Sequence, residues 1–309
     1  MSQANADSKF IWMDGKLIPS EQATVHSLSH SLHYGGAVFE GIRAYETTQG
    51  KAAIFRAQEH FQRFQDSMHA LGYVSHYSPL DLIKATCDVV KANELTECYI
   101  RPFAYIDDGT RGLKLPNPAK AKVAIAAWKW GKYMGDEGQT KGIRVGVSSF
   151  RRPDISSSMT WAKCSGNYLI SVQARREASN HGLDEAILLD PQGFVAEGSG
   201  ENLFLVKNGK LLTPSTGFIL PGITRDSVMT IARDLGLSVS EEHITRNQLY
   251  LADEVFFSGT AVEVTPIREV DGRNIGEGRP GPITKKISDI FFKTVRHEIP
   301  KYAEWLTLI

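Results

Sequence analysis

The stretch Phe194–Phe204, F-V-A-E-G-S-G-E-N-L-F, sets two acidic residues among small, flexible ones, with an apolar run ahead (Ala186–Leu189) and another behind (Leu203–Val206). Short apolar runs bounded by glycine read as strands, so a sheet is required here, and the acidic segment reads as a loop held between two strands. Gly198 and Gly200 let backbone approach another group closely. A dinucleotide-binding loop is excluded, because G-S-G-E-N-L has no third glycine and runs on into a strand rather than a helix. Taken alone, the window also fits a tight turn with solvated carboxylates.

At 309 residues the chain is long for one hydrophobic core and sufficient for two. Its 35 basic residues balance 35 acidic ones, which gives no electrostatic case for a nucleic-acid groove or a membrane surface. No apolar run approaches the length needed to cross a bilayer, and the opening M-S-Q-A-N-A-D-S-K lacks the apolar core of a signal peptide. A soluble, cytoplasmic protein is expected. Cys87, Cys98 and Cys164 form an odd, widely spaced set without a C-x-x-C, which fits reduced thiols rather than a disulfide framework or a cysteine metal site.

In chain order, Phe10 to Ile18 reads as two short strands turned at Asp14-Gly15. His26, His30 and His33 follow at suggestive spacing, but Leu28, Leu32 and Tyr34 around them look like packing residues and no cysteine is near, so no metal is expected. Glycines at 35, 36 and 41 favour a curved strand or loop over a helix. A helix is expected over 57–71, with Phe61, Phe64, Met68 and Leu71 on one face and Gly72 as its stop; Arg63 beside that face reads by itself as a solvated arginine. A second helix starts at the Ser78 cap and Pro79 and runs to about Ala92, followed by strands over 99–106 and 122–128.

The glycine-rich, charged segment from Trp130 to Gly142 marks the domain boundary. The resulting division is a small N-terminal α/β domain over 1–129, an interdomain loop over 130–142 and a large C-terminal domain over 143–309 that carries Lys163. Within the last, a strand is expected over 143–149, a helix over 167–179, a strand over 185–190 and a hairpin at Asn208-Gly209. Thr224 can cap a helix whose apolar face is Val228, Ile231, Ala232 and Leu235. Two more strands, a turn at Asp271-Gly272 and a helix from about Thr284 complete the chain.

Lys163, in W-A-K-C-S-G-N-Y, has neighbours too small to shield it and lies near Trp161 and Tyr168, so its ammonium is open to desolvation. A desolvated lysine loses proton affinity, and its neutral amine can form a Schiff base with an aldehyde. A pyridoxal phosphate enzyme needs such a lysine, an acid for the pyridine nitrogen, a phosphate cup and a group on the phenolic oxygen. Glu197 is the candidate acid, and the helix start at Gly222 to Asp226, behind Leu220-Pro221-Gly222, is the candidate cup.

V-F-E-G-I-R-A-Y, C-Y-I-R-P, K-C-S-G-N-Y, E-G-S-G-E-N-L-F, L-P-G-I-T-R-D and F-F-S-G-T-A occur in the order found in branched-chain amino acid aminotransferases, the class IV enzymes of pyridoxal phosphate fold type IV. From about Phe10 to at least Thr284 the chain resembles that family. The resemblance implies a two-domain α/β fold of α+β type, with pyridoxal 5'-phosphate between the domains. It implies that Lys163 bonds the cofactor and shuttles the proton, that Glu197 meets the pyridine nitrogen and that Tyr168 meets the phenolic oxygen. Arg63, the backbone N–H groups of Ile223 and Thr224, and the Thr260 hydroxyl resemble the phosphate ligands. Phe39, Gly41, Trp130 and Tyr133 resemble the walls of an apolar substrate pocket, and Tyr34 resembles a residue contributed across a dimer interface. Tyr99 and Arg101, with the N–H groups of Thr260 and Ala261, resemble the donors that orient the α-carboxylate.

By the same resemblance, the substrates are L-leucine, L-isoleucine or L-valine and 2-oxoglutarate, the product amino acid is L-glutamate, and the assembly is a homodimer or a set of dimers. One departure concerns D-D-G-T-R-G-L-K-L-P-N-P, where Arg111 stands for a small or apolar pocket residue. Arg111 is read as pointing to solvent or binding the second carboxylate of glutamate. An arginine near this point in related D-amino acid aminotransferases and aminodeoxychorismate lyases leaves those activities, and (R)-amine transamination, as alternatives, together with a binding protein that has lost catalysis.

Overall fold

The computed structural model describes residues 8–107, 112–131 and 133–309. The chain forms two compact units: one takes the described residues through Trp130 with Ala162–Gly166 and Thr294–Ile309, the other Gly131–Trp161 and Asn167–Lys293. The sequential division expected above therefore differs from the packing in three places. Residues 131–142 join the second unit, and Gly135–Lys141 is a short helix rather than loop. The Lys163 segment packs with the first unit because its backbone is pinned to the Gly35–Phe39 segment: Phe39 N–H donates to the Lys163 carbonyl (3.0 Å), Ser165 N–H to Ala37 (2.7 Å) and Gly166 N–H to Gly35 (2.8 Å). The C-terminal segment returns because Leu306–Leu308 pairs antiparallel with Ala52–Phe55.

The first unit is built on one sheet, in spatial order Lys16–Pro19, Phe10–Met13, Lys122–Trp128, Cys98–Tyr105, Ile42–Glu46, Ala52–Phe55 and Leu306–Leu308. Asp14 and Gly15, with φ of 47° and 94°, supply the two left-handed residues that a tight hairpin turn needs. Helix Ala57–Ala70 turns Phe61, Phe64 and Met68 inward, all essentially fully buried, and each such side chain stabilises the fold by about 1.5–3 kcal/mol. Helix Pro79–Ala92 opens with a capping box in which Ser78 and Asp81 exchange hydrogen bonds, and it packs on the strands Phe10–Met13 and Lys122–Trp128. Where the glycines favour a curved strand or loop, the chain first makes a short helix, His30–Tyr34; Gly35, with φ of 70°, then ends it. The strands follow at Val38–Phe39 and Ile42–Glu46.

The second unit is built on a longer sheet, in order Val239–Glu242, Lys210–Pro214, Asn202–Lys207, Glu254–Gly259, Glu263–Val270, Ile143–Arg151, Glu185–Leu189, Phe194–Gly198 and Ile244–Thr245. Helix Tyr168–Asn180 packs on Ile143–Arg151 and Glu185–Leu189, and helix Ile223–Asp234 packs on Glu254–Gly259. Two local readings change. Glu197 lies on a strand, Phe194–Gly198, and only the residues between Gly198 and Asn202 form the loop, because Glu197 pairs directly with Asn202. The helix after Leu220-Pro221 is capped by Gly222 with no side-chain hydrogen bond, so Thr224 stands inside its first turn rather than at the cap.

No helix among the described residues is long and apolar enough to cross a membrane. Of the histidines noted above, His30 is buried with neither ring nitrogen hydrogen-bonded among the described residues, and His33 Nε2 lies 2.8 Å from the Ser27 carbonyl. Among the described residues no group of His, Cys, Asp and Glu is placed to hold a metal ion.

Candidate active site

In the first unit the sheet and helix Ala57–Ala70 bring together Phe39, Glu40, Tyr99, Arg101, His60, Arg63 and, through the pinned segment, Lys163. Glu40 is wholly buried and is held from several sides. Arg63 donates Nε–H to Oε1 (2.7 Å) and Nη2–H to Oε2 (2.9 Å), His60 Nδ1 lies 2.8 Å from Oε2, and Gly41 N–H donates to Oε2 (3.2 Å). Burial alone would raise the Glu40 pKa, but the Arg63 guanidinium and the His60 contacts outweigh it and hold the carboxyl well below the usual carboxylate range. For His60, burial prevails over Glu40 and lowers the pKa, so the ring is neutral with Nδ1–H assigned as the donor. Arg63 is therefore not the solvated arginine that its helix alone suggests.

Lys163 N–H donates to Ser67 Oγ (3.0 Å), and Lys163 Nζ lies 4.9 Å from the centroid of the Phe39 ring. Desolvation is the main cause that pulls the Lys163 pKa down to about 8; Arg63 adds to it, while Glu40 and Tyr99 oppose it. A minority of the amine is thus neutral at physiological pH, far more than for a solvated lysine, as a nucleophile or proton carrier requires. Beside it, Arg101 Nη2–H donates to the Tyr99 hydroxyl (3.0 Å), and the guanidinium lies 5.0 Å from the Phe39 ring centroid and 5.2 Å from that of Tyr99. Arg101 Nε is buried without a hydrogen-bond partner among the described residues, a donor suited to an anion. Trp130 packs edge-on against Tyr99 at 4.6 Å, and Gly41 is required where it stands because a Cβ there would lie 2.2 Å from the Tyr99 hydroxyl oxygen. Tyr34 is exposed at the end of its short helix.

In the second unit Glu197 is buried, and both its oxygens are engaged. Arg152 Nε lies 3.1 Å from Oε1, while Asn202 Nδ2–H and Leu220 N–H each donate to Oε2 at 3.2 Å. Asn202 Nδ2–H also donates to the Leu220 carbonyl (3.0 Å), which ties the strand to the approach of helix Ile223–Asp234. Ile223 and Thr224 are buried in the uncapped first turn of that helix. The neighbouring Arg225 is turned away from it: Nη2–H donates to the Pro214 carbonyl (2.9 Å) and Nε–H to Thr213 (3.2 Å). Thr260 and Ala261 occupy the turn between Glu254–Gly259 and Glu263–Val270, and Gly259, just before that turn, lies against the Gly200–Glu201 backbone. Ser258 Oγ, on the residue paired with Asn202, is buried without a partner among the described residues. Tyr168 is the first residue of helix Tyr168–Asn180, and Tyr133 is partly exposed. Arg111 lies outside the described residues.

Glu40, His60, Arg152 and Asn202 are the groups that sequence reasoning missed. Glu40 stands inside V-F-E-G-I-R and His60 one helical turn before Arg63, so helical spacing carries a signal for the second. Arg152 lies far from Glu197 in sequence and gives none.

Residues 37–270 match the family described as Amino-transferase class IV. The branched-chain-amino-acid aminotransferase of Pseudomonas aeruginosa is 48% identical over 309 residues, covering 100% of both chains. The crystal structure of the Escherichia coli branched-chain amino acid aminotransferase superposes with a TM-score of 0.94 at 45% identity, covering 97% of this chain and 98% of that one. The T.th. branched-chain amino acid aminotransferase, solved with pyridoxamine 5'-phosphate, gives a TM-score of 0.92 at 46% identity over 97% and 98% of the two chains, and it has also been solved with N-(5'-phosphopyridoxyl)-L-glutamate and with 4-methylvaleric acid. With its lysine and glutamate sets assembled as described and its similarity spread along nearly its whole length, this chain belongs to the class IV aminotransferases and, within them, to the branched-chain amino acid aminotransferases.

Proposed function

We propose that the chain moves the amino group of L-leucine, L-isoleucine or L-valine to 2-oxoglutarate, giving the branched-chain 2-oxo acid and L-glutamate in a reversible ping-pong exchange that depends on pyridoxal 5'-phosphate. The observation that carries this reading is Lys163, an amine with its pKa pulled down to about 8 in the same unit as the Tyr99–Arg101 pair. The ligands of the T.th. enzyme support the cofactor, and its 4-methylvaleric acid and phosphopyridoxyl-glutamate complexes support the two substrate classes.

The residues fit the cofactor. A helix that starts at a glycine with no side-chain cap presents N–H groups and a positive dipole end to a phosphate, and Arg63 and the Thr260 hydroxyl suit the same group. Glu197, paired with the Arg152 guanidinium, suits a protonated ring nitrogen, and Tyr168 suits the phenolic oxygen. When bound, pyridoxal phosphate supplies an electron sink that weakens the substrate's α-carbon to hydrogen bond.

The chain's own residues do the rest. Lys163 Nζ accepts the proton from the α-carbon and returns it. Arg101 and Tyr99, with N–H groups of Thr260 and Ala261, hold the α-carboxylate by charge-assisted hydrogen bonds, which fixes the direction of the α-hydrogen and selects one enantiomer. Phe39, Gly41, Trp130 and Tyr133 bound the side-chain pocket, Tyr34 serves the site of a second copy, and Arg111 binds the second carboxylate of glutamate or faces solvent. The assembly is a homodimer or a set of dimers. The three free cysteines support a reducing, cytoplasmic setting.

The test is the absorbance of the purified protein with bound cofactor before and after L-leucine, and separately D-alanine and (R)-1-phenylethylamine, each without an acceptor. Loss of the yellow absorbance with L-leucine alone is expected. Bleaching only by D-alanine or the amine would replace the substrate reading, and a protein that pyridoxal phosphate cannot turn yellow would overturn the cofactor.

A further inference from the structure

A buried carboxylate stands against the Arg63 side chain without a part in the chemistry proposed above. Glu40 follows strand Val38–Phe39, and its N–H donates to the Pro102 carbonyl (2.8 Å), which fixes its backbone to the neighbouring strand Cys98–Tyr105. Four donors reach its side chain: Arg63 Nε–H at 2.7 Å on Oε1, and Arg63 Nη2–H at 2.9 Å, His60 Nδ1 at 2.8 Å and Gly41 N–H at 3.2 Å on Oε2. An ionised carboxylate offers about four acceptor sites, so Glu40 is saturated.

Two of these side chains come from one face of helix Ala57–Ala70, on which His60, Arg63 and Ser67 recur at i, i+3 and i+7. Ser67 accepts from the Lys163 N–H (3.0 Å), so the same stripe anchors the reactive segment. Arg63 meets Glu40 side-on, through Nε–H and one Nη2–H, and its planar fork then directs the Nη1 N–H groups away from the carboxylate. The Arg63 side chain is 13% exposed, against 0% for Glu40 and 2% for His60, so of the three it is the one open to a ligand. A buried ion pair adds little net stability, because desolvation of both ions offsets their attraction. Its return lies in geometry: a mobile arginine loses rotamer freedom when it grips an anion, whereas one already locked does not.

We infer that Glu40, held in turn by His60, is a positioning residue that locks the Arg63 guanidinium in the orientation in which it takes the cofactor's phosphate. This rests on the proposed reading of Arg63 as a phosphate ligand. Two effects of Glu40 oppose each other, and their balance makes the inference testable. Its charge repels a phosphate and partly neutralises the arginine, so a carboxylate that acted by charge alone would weaken cofactor binding and its removal would tighten it. A carboxylate that acts by orienting the fork does the reverse, and does so only for ligands that carry a phosphate. His60 belongs to the device because its contact falls on the Oε2 that Arg63 Nη2–H also uses, which fixes the carboxylate plane against the guanidinium.

The experiment measures Kd for pyridoxal 5'-phosphate and for pyridoxal, which lacks the phosphate, by absorbance on reconstitution of the full chain stripped of cofactor. It compares the parent with Glu40→Gln, Arg63→Met and the double variant Glu40→Gln/Arg63→Met. Glu40→Gln is expected to raise Kd for pyridoxal phosphate about tenfold and to leave Kd for pyridoxal within about twofold. In the Arg63→Met background Glu40→Gln is expected to cause no further rise, because the residue it positions is gone. Equal losses for the two ligands would show a merely structural role and overturn the inference, as would tighter or unchanged binding of pyridoxal phosphate by Glu40→Gln, or a full additional loss in the double variant. If Glu40→Gln does not fold, His60→Leu and His60→Asn decide: the first is expected to weaken pyridoxal phosphate alone, and the second, which keeps a donor near the Nδ1 position, to restore it, whereas equal behaviour of the two would overturn the inference. An Arg63→Met variant that binds pyridoxal phosphate as tightly as the parent would strike the phosphate reading of Arg63, and the inference with it. A loss in Arg63→Met without one in Glu40→Gln would overturn the inference alone, so the two failures are distinct.

Discussion

Lys163 is poised between protonation states because desolvation and Arg63 disfavour its charge while Glu40 and Tyr99 favour it. Its pKa falls from 10.5 to about 8 on folding, so between those values the unfolded chain holds the proton more tightly. The folded state therefore carries a penalty below pH 8 that disappears as pH rises to 10.5. A depression of that size corresponds to a cost on the order of 3–4 kcal/mol. Lys163→Met, which keeps the length and removes the charge, is expected to stabilise the cofactor-free protein by about that amount at pH 7, with the gain vanishing in strongly alkaline buffer. Urea unfolding at several pH values measures it; a variant no more stable than the parent at pH 7 would show that Lys163 is solvated.

Among the elements, those with local signals were legible in the sequence. Helix Pro79–Ala92 begins at the residue its cap announces, helix Ala57–Ala70 follows its apolar stripe, and strand Lys122–Trp128 matches its apolar run, because caps and periodicity are written within a few residues. What was not legible depends on partners distant in sequence. The docking of the Lys163 segment on Gly35–Phe39 and the return of Leu306–Leu308 to Ala52–Phe55 leave no local trace, and the cap at Gly222 was misplaced because threonine is the commoner signal. The site shows the same split: family motifs pointed to Lys163, Glu197 and Arg63, while Arg152 and Asn202 emerge only from the fold. Gly222 gives an element-scale test. A Cβ there would lie 1.9 Å from Asn202 Oδ1, so Gly222→Ala must displace the side chain that bonds both Glu197 and the Leu220 carbonyl. The expected result is a folded protein whose Kd for pyridoxal phosphate, followed by absorbance on reconstitution, rises about tenfold or more, since a lost buried hydrogen bond to a charged group costs roughly 1.5–3 kcal/mol. Unchanged affinity would separate Asn202 from the cofactor.

For the molecule as a whole, the segment around helix His30–Tyr34 leaves Leu28, Leu32 and Tyr34 exposed by 53, 68 and 48%, an apolar cluster of the kind that marks an interface. The homodimer proposed above would cover it. Leu32→Glu is expected to yield monomer by sedimentation, with activity lost in step if Tyr34 serves a second copy's site; a dimer of unchanged stability would move the interface elsewhere. The two compact units also carry a consequence for how such a protein can be built or taken apart. The polypeptide passes from one unit to the other after Trp130, Trp161, Gly166 and Lys293, so neither unit is a contiguous stretch of chain. A piece ending at Trp130 would leave the Ala52–Phe55 strand bare at the sheet edge and would lack the lysine altogether. Neither unit can then be shuffled between proteins as a cassette or secreted as a truncated product, and the reactive amine is installed only after the ribosome has delivered residues from both.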